Sequence, residues 1–180
     1  GRSLRRARGD GRRGRYGGTF VTDELPRGAV PVPRAADDSL ALDAADLEEV
    51  LALREVLEVG AARLAAARTL AAPERDLVWR ALEDVATADP TDYRRLDSRL
   101  HLVIAEVTGV RSLVTLVADN RMQVNRLLDE IPLLERNIAH SDEQHRTLVT
   151  AILAGQPDVA AAAAEEHLAG SAALLRGFLA

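Results

Sequence analysis

The 180-residue chain contains no cysteine and no lysine, and aromatic residues make up only 3% of it. Without cysteine it can form neither disulfides nor thiolate metal sites, and it shows no mark of an oxidising compartment. Scarce aromatics leave Leu, Val and Ala to fill the core, which favours helices over sheet. No apolar run approaches the roughly 20 residues that a membrane span requires. No signal-peptide pattern opens the chain, so the expected location is the cytoplasm and no membrane partner is expected. All 23 basic residues are Arg, which reads as a codon-composition bias rather than as function.

What is present is 47% hydrophobic content, enough for one substantial core with an appendage. The net charge of −5 hides an asymmetry. Residues 1–34 hold nine Arg against Asp10, Asp23 and Glu24, while residues 35–180 hold fourteen Arg against 25 acids. A basic arm suits a polyanion, whereas an acidic body does not. Residues 1–21 have too little apolar content for a core, and their Gly residues oppose a helix. Gly17-Gly18 before Thr19-Phe20-Val21 reads as a tight turn entering a short strand. Residues 22–44, with Pro26, Pro31, Pro33 and Gly28, read as a linker.

From residue 45 to 180 the pattern is helical. Leu47, Val50, Leu51, Arg54, Leu57, Glu58, Ala61, Leu64 and Ala65 recur at spacings of three and four, predicting a helix from about Ala45 to Leu70. A second is expected from Pro73 to Thr87 and a third from Thr91 to Thr108, stopped by Gly109. The fourth spans Arg111 to Glu130, with Leu113, Leu116, Val117, Val124, Leu127 and Leu128 inward, and Pro132 interrupts. A short piece over Leu133 to Ala139 precedes a capping-box start at Ser141, with Gln144 at the third helical position. That helix ends at Gly155, and Pro157 opens the last one, which runs to about Phe178. The expected fold is all-α, an antiparallel bundle of six to seven helices.

Four histidines, His101, His140, His145 and His167, are the main candidates for chemistry. Asp97 and His101 lie four apart and share a helix face with Leu100, Ile104 and Ala105. A carboxylate aimed at an apolar interior needs a cationic partner. His145 shares its face with Leu148, Val149 and Ile152, and His167 with Ala160, Ala163, Ala164 and Leu168. Three imidazoles and a carboxylate inside a bundle suit a divalent transition metal such as Zn, Ni, Mn or Fe. The alternative pairs Asp97 with Arg94 or with an Arg of a neighbouring helix while the histidines pack separately; spacing alone does not choose. Arg54 on the apolar stripe has two readings, an intrahelical pair with Glu58 or a fork onto an effector carboxylate. Arg121 and Asn125 are further candidates for the second role.

Two stretches resemble a known family. Arg12-Arg13-Gly14-Arg15-Tyr16-Gly17-Gly18-Thr19-Phe20-Val21 resembles the wing of the winged helix-turn-helix in GntR-type bacterial transcription regulators. From about Leu47 onward, the words Arg54-Glu55-Val56-Leu57-Glu58, Asp97-Ser98-Arg99-Leu100-His101, Thr108-Gly109, Gln144-His145 and the Ala-rich approach to His167-Leu168 resemble the FCD effector domain of the FadR-like branch. The resemblance implies a metal held by Asp97, His101, His145 and His167. It departs from the family's usual Phe at Leu100 and Glu at Gln144. His140 has no counterpart and reads as a surface or loop residue.

The resemblance also implies DNA contacts from the wing residues Arg12, Arg13, Arg15, Gly17 and Gly18. It further implies operator DNA and a small carboxylic acid as partners, and a homodimer whose two heads read near-palindromic sites. The expected function is therefore a ligand-responsive regulator, not an enzyme. A metal-dependent hydrolase or isomerase in a helical bundle is the alternative, and a metal-free dimerisation module is a third reading.

Overall fold

In a computed structural model of the chain, the described residues are 44–179; the wing read at 1–21 lies outside them, as does the linker read at 22–44 except Ala44, which opens the first helix. Six helices follow in order: α1 (Ala44–Ala67), α2 (Ala72–Ala86), α3 (Tyr93–Glu106), α4 (Arg111–Asp129), α5 (Glu135–Leu153) and α6 (Pro157–Leu179). No strand occurs among the described residues. The all-α expectation and the number of helices agree with this structure.

Local sequence explains most boundaries. Glu74 reaches back to accept the Ala71 backbone N–H at 2.8 Å at the start of α2. Gly155 follows α5 with φ +68°, and Gly155 and Gln156 donate to the carbonyls of Ile152 and Ala151 at 3.1 and 3.0 Å. That pair of bonds is a Schellman termination, which places a residue without Cβ in the left-handed region. Gly109 likewise follows α3 with φ +77°.

Two expectations require correction. Ser141 does not open a helix; α5 runs through it from Glu135, so the short segment and the next helix are one. No Gly or Pro interrupts residues 133–154, and continuing the helix lets Leu133 and Ile138 pack against the core. Leu64 and Leu116, read as inward, are 47% and 50% exposed, because α1 and α4 bury narrower stripes than their periodicity suggested.

The helices stack so that polar side chains form a layer between two apolar clusters. The larger cluster includes Leu57, Ala61, Ala65, Val78, Val85, Leu100, Val103, Leu148 and Ile152. The smaller is built from Leu47, Val50, Leu51, Val124, Leu127, Ile131, Ala172 and Leu175. Along α1 the smaller cluster gives way at Arg54 and Glu58; along α6 the larger gives way at His167 and Ser171; along α4 the change comes at Asn120 and Arg121. α1 packs most extensively on α6. Ala61, Ala62, Ala65 and Ala66 on one, and Ala160, Ala161, Ala163 and Ala164 on the other, are buried small side chains that permit a close approach. None of the described helices is long and apolar enough to cross a membrane.

Candidate metal centre and adjoining cavity

Three helices deliver the polar layer's centre: Asp97 and His101 from one face of α3, His145 from α5 and His167 from α6. All four are buried, and one ligand-type atom from each falls within 4.8 Å of the others. His145 Nε2 stands 3.2 Å from Asp97 Oδ1 and 3.3 Å from His167 Nε2, and His101 Nε2 lies 3.7 Å from the same Asp97 oxygen. Ligands held 2.0–2.1 Å from one tetrahedral zinc stand about 3.3–3.4 Å apart, so these spacings suit a shared cation.

The outer atoms of the imidazoles support that fit. His101 Nδ1 is 2.7 Å from Glu58 Oε2, and His167 Nδ1 is 3.2 Å from Gln144 Oε1. An acceptor at Nδ1 keeps the proton there and leaves a lone pair on Nε2, facing the centre. His101 Nε2 is buried with no hydrogen-bond partner, which an apolar packing role would not explain. Divalent transition metals favour such a set of imidazoles and a carboxylate.

Arg121 completes the arrangement from α4. Its Nη2 pairs with Asp97 Oδ2 and donates to Ser98 Oγ at 2.9 Å, and Nη1 is 3.8 Å from Glu58 Oε1. One Asp97 oxygen is thereby occupied, and the other faces the histidines. Burial alone pushes the Asp97 carboxyl up, but the Arg121 guanidinium, with the nearby His101 and His145 rings, holds it well below the usual carboxylate range. Burial likewise raises Glu58, and Arg54, His101 and Arg121 together reverse this and depress it. For His101, burial lowers the pKa and the Glu58 charge more than restores it, so the net direction is up. For His167, burial and the neighbouring His145 and His101 drive it well down.

Beside the centre lies a cavity of about 260 Å³. Asp97, His167 and Gln144 line it together with Arg54, Tyr93 and Asn137, between aliphatic walls that include Leu128 and Leu174. Arg54 is only 2% exposed. Its Nε donates to Glu58 Oε1 at 3.3 Å and its Nη1 to Ser171 Oγ at 2.8 Å. The intrahelical pair of Arg54 with Glu58 is therefore present, and Arg54 also lines the cavity.

The four candidate metal ligands are brought together. Arg121 and Asn125 do not line the cavity: Arg121 sits behind Asp97, and the Asn125 amide exchanges hydrogen bonds with Ser98 Oγ at 2.9 and 3.1 Å. Asp97 pairs with an Arg of a neighbouring helix, as the alternative reading expected, but the histidines do not pack separately, because all three cluster beside its other oxygen. His140 is exposed on α5, as a surface residue, yet it also lines the cavity. Arg12, Arg13, Arg15, Gly17 and Gly18 lie outside the described residues. Sequence reasoning missed Glu58 as the partner of His101, and also Gln144, Asn137, Tyr93 and Ser171. Two of these carried a signal: Glu58 is an acid on an apolar stripe, and Ser171 lies one turn beyond His167.

Comparison with known proteins agrees with the helical part of the resemblance. The family model described as FCD domain matches residues 49–170. No match is found among curated proteins. The match covers more than half of the chain and includes all four residues of the centre and Arg54. The chain therefore belongs to the FCD-domain family, the effector-responsive part of GntR-family transcription regulators.

Proposed function

We propose that this chain senses a small organic acid through a divalent transition metal and transmits that binding to the DNA-reading heads of a homodimer. Asp97, His101, His145 and His167 would hold the metal, and Arg54 would receive an effector carboxylate. When bound, the metal would supply a Lewis-acidic position for an anionic oxygen of the effector. The chain's own residues orient the site: Glu58 and Gln144 set the proton on His101 and His167, and Arg121 secures Asp97. The observation carrying this reading is the convergence of three imidazole Nε2 atoms and one Asp97 oxygen at the wall of a cavity that Arg54 also lines.

Regulation requires the effector to bind two arrangements of the domain with different affinity. Five helices, α1 and α3 to α6, contribute to one packed layer, which gives a route by which ligation shifts their mutual positions. Residues 1–21 as a wing and the following Pro-rich stretch as a linker complete the reading, in which the Arg-rich stretch contributes salt-sensitive phosphate contacts. A metal-dependent hydrolase or isomerase is not favoured, because the family consists of regulators.

Elemental analysis of the untagged protein, beside His145→Ala, tests the metal. About one transition metal per chain in the wild type, and loss of it in a variant that keeps its helical circular dichroism, is the expected result. Absence of metal from both, even after incubation with zinc or nickel, would reject the reading.

A further inference from the structure

The charged groups around the cavity narrow the class of effector, given the metal reading above. Arg54, Arg121, Glu58 and Asp97 are all at least nine-tenths buried, and the two guanidiniums are cancelled by the two carboxylates. Gln144, which meets His167 Nδ1, adds no charge. At the rim, Arg94 is paired with Asp129, and half-buried Asp142 accepts from the Tyr93 hydroxyl at 3.1 Å. A divalent cation held at Asp97 and the histidines would therefore bring two positive charges that no fully buried side chain offsets. Buried charge without a counter-charge is strongly unfavourable, and a monoanion would remove only half of the excess.

The lining of the cavity also provides for a second anionic end. On α6, one turn separates His167 from Ser171, the residue to which Arg54 donates, a rise of about 6 Å along the helix. On α5, Asn137 lies two turns before Gln144, and both line the cavity. The Asn137 Nδ2 is buried without a hydrogen-bond partner, and Arg54 Nη2 makes no hydrogen bond among the described residues. A buried unsatisfied donor on Asn137, together with an Arg54 Nη2 that no described residue engages, calls for acceptor oxygens carried by the ligand itself. Leu128, Leu133, Ile138 and Leu174 supply aliphatic surface for a short carbon chain between the two ends.

We propose that the effector is a short dicarboxylate, with one carboxylate on the Asp97 and His167 side and the other received by Arg54 and Asn137. This inference rests on the metal reading, so metal content is measured on every sample used. Zinc-loaded protein is titrated calorimetrically with malonate, succinate and glutarate, and with butyrate and succinamate, the last matching succinate in shape with one charge fewer. At least one diacid should bind about tenfold or more tightly than both monoanions. Arg54→Gln should bring that diacid down to the affinity of succinamate with its zinc content unchanged. Asn137→Leu, at a half-buried position less demanding for folding, should reduce the preference in the same direction.

Equal affinity for diacids and monoanions, no binding of any diacid to zinc-loaded protein, or a preference that survives both substitutions would overturn the proposal. A protein that takes up no zinc would remove the cation on which the charge argument depends, and would overturn the metal reading together with the proposal.

Discussion

The polar layer and the two apolar clusters that enclose it are buried to the same degree but are held together by different physics. Leu100, Val103 and Leu175 are fully buried and gain from leaving water whatever their neighbours are, provided the space is filled. Arg121, Asp97, Glu58 and His145 are as deeply buried, and each is tolerable only because a specific partner is present. The apolar clusters make the bundle stable, while the polar layer carries a desolvation cost that its ion pairs must offset. Arg121 shows this cost directly, since its Nε and Nη1 are buried without hydrogen-bond partners.

That contrast can be broken most forcefully at Arg121. Arg121→Met removes the cation that pairs with Asp97 and should destabilise the metal-free protein by about 3–5 kcal/mol, read by urea unfolding in the presence of a chelator. Adding Asp97→Asn to the same chain should return part of the loss, because the stranded charge disappears. No recovery in the double variant would mean that Arg121 acts through packing alone, as an apolar residue would.

In the smaller apolar cluster, Leu175→Ala should cost about 2–5 kcal/mol by the same measurement. Here the expected signature is different: metal content per folded chain stays at the wild-type value, whereas Arg121→Met should change both stability and metal content. Loss of metal in Leu175→Ala would show that the two regions are not separable.

The smallest effect is expected from pH between about 5 and 8, and it is read at His101 and His167. His167 has a depressed pKa when folded, so its contribution is present above the unfolded value and is lost as pH falls. His101 has a raised pKa, so its contribution is present below the unfolded value and is lost as pH rises. In chelated wild-type protein the two oppose each other, and the unfolding midpoint should change less across this range than in either single variant. His101→Gln should lose stability on acidification and His167→Gln should gain it. The same sign in both variants would contradict the opposed environments. Below about pH 4 the unfolded chain takes up protons at Asp97 and Glu58 that the folded protein, with both carboxyls depressed, does not, so the wild type should weaken as pH falls further.

Much of this arrangement was legible before folding was considered. Apolar spacing marked the helices, and Gly109 and Gly155 marked two of their ends, because both signals act within a few residues. Asp97 and His101 could be placed on one face for the same reason. Ser141 misled because capping is a local preference, and continuing α5 buried Leu133 and Ile138 at no cost from a breaker. Arg121 was assigned to an effector because nothing in its own helix shows that Asp97, 24 residues earlier, waits opposite it.

The sequence by itself determined that the chain from about residue 45 would be helical in six or seven stretches, most of the residues on their inward faces, and that a few titratable side chains would be carried in with them. Only the tertiary structure decided how those side chains were shared out: Arg121 to Asp97, Glu58 to both Arg54 and His101, Gln144 to His167, and the cavity between them. The reason is physical. Periodicity encodes the direction of a side chain about its own helix axis, whereas a partner depends on the axial shift and rotation of another helix. Those are set by the packing of all six helices at once.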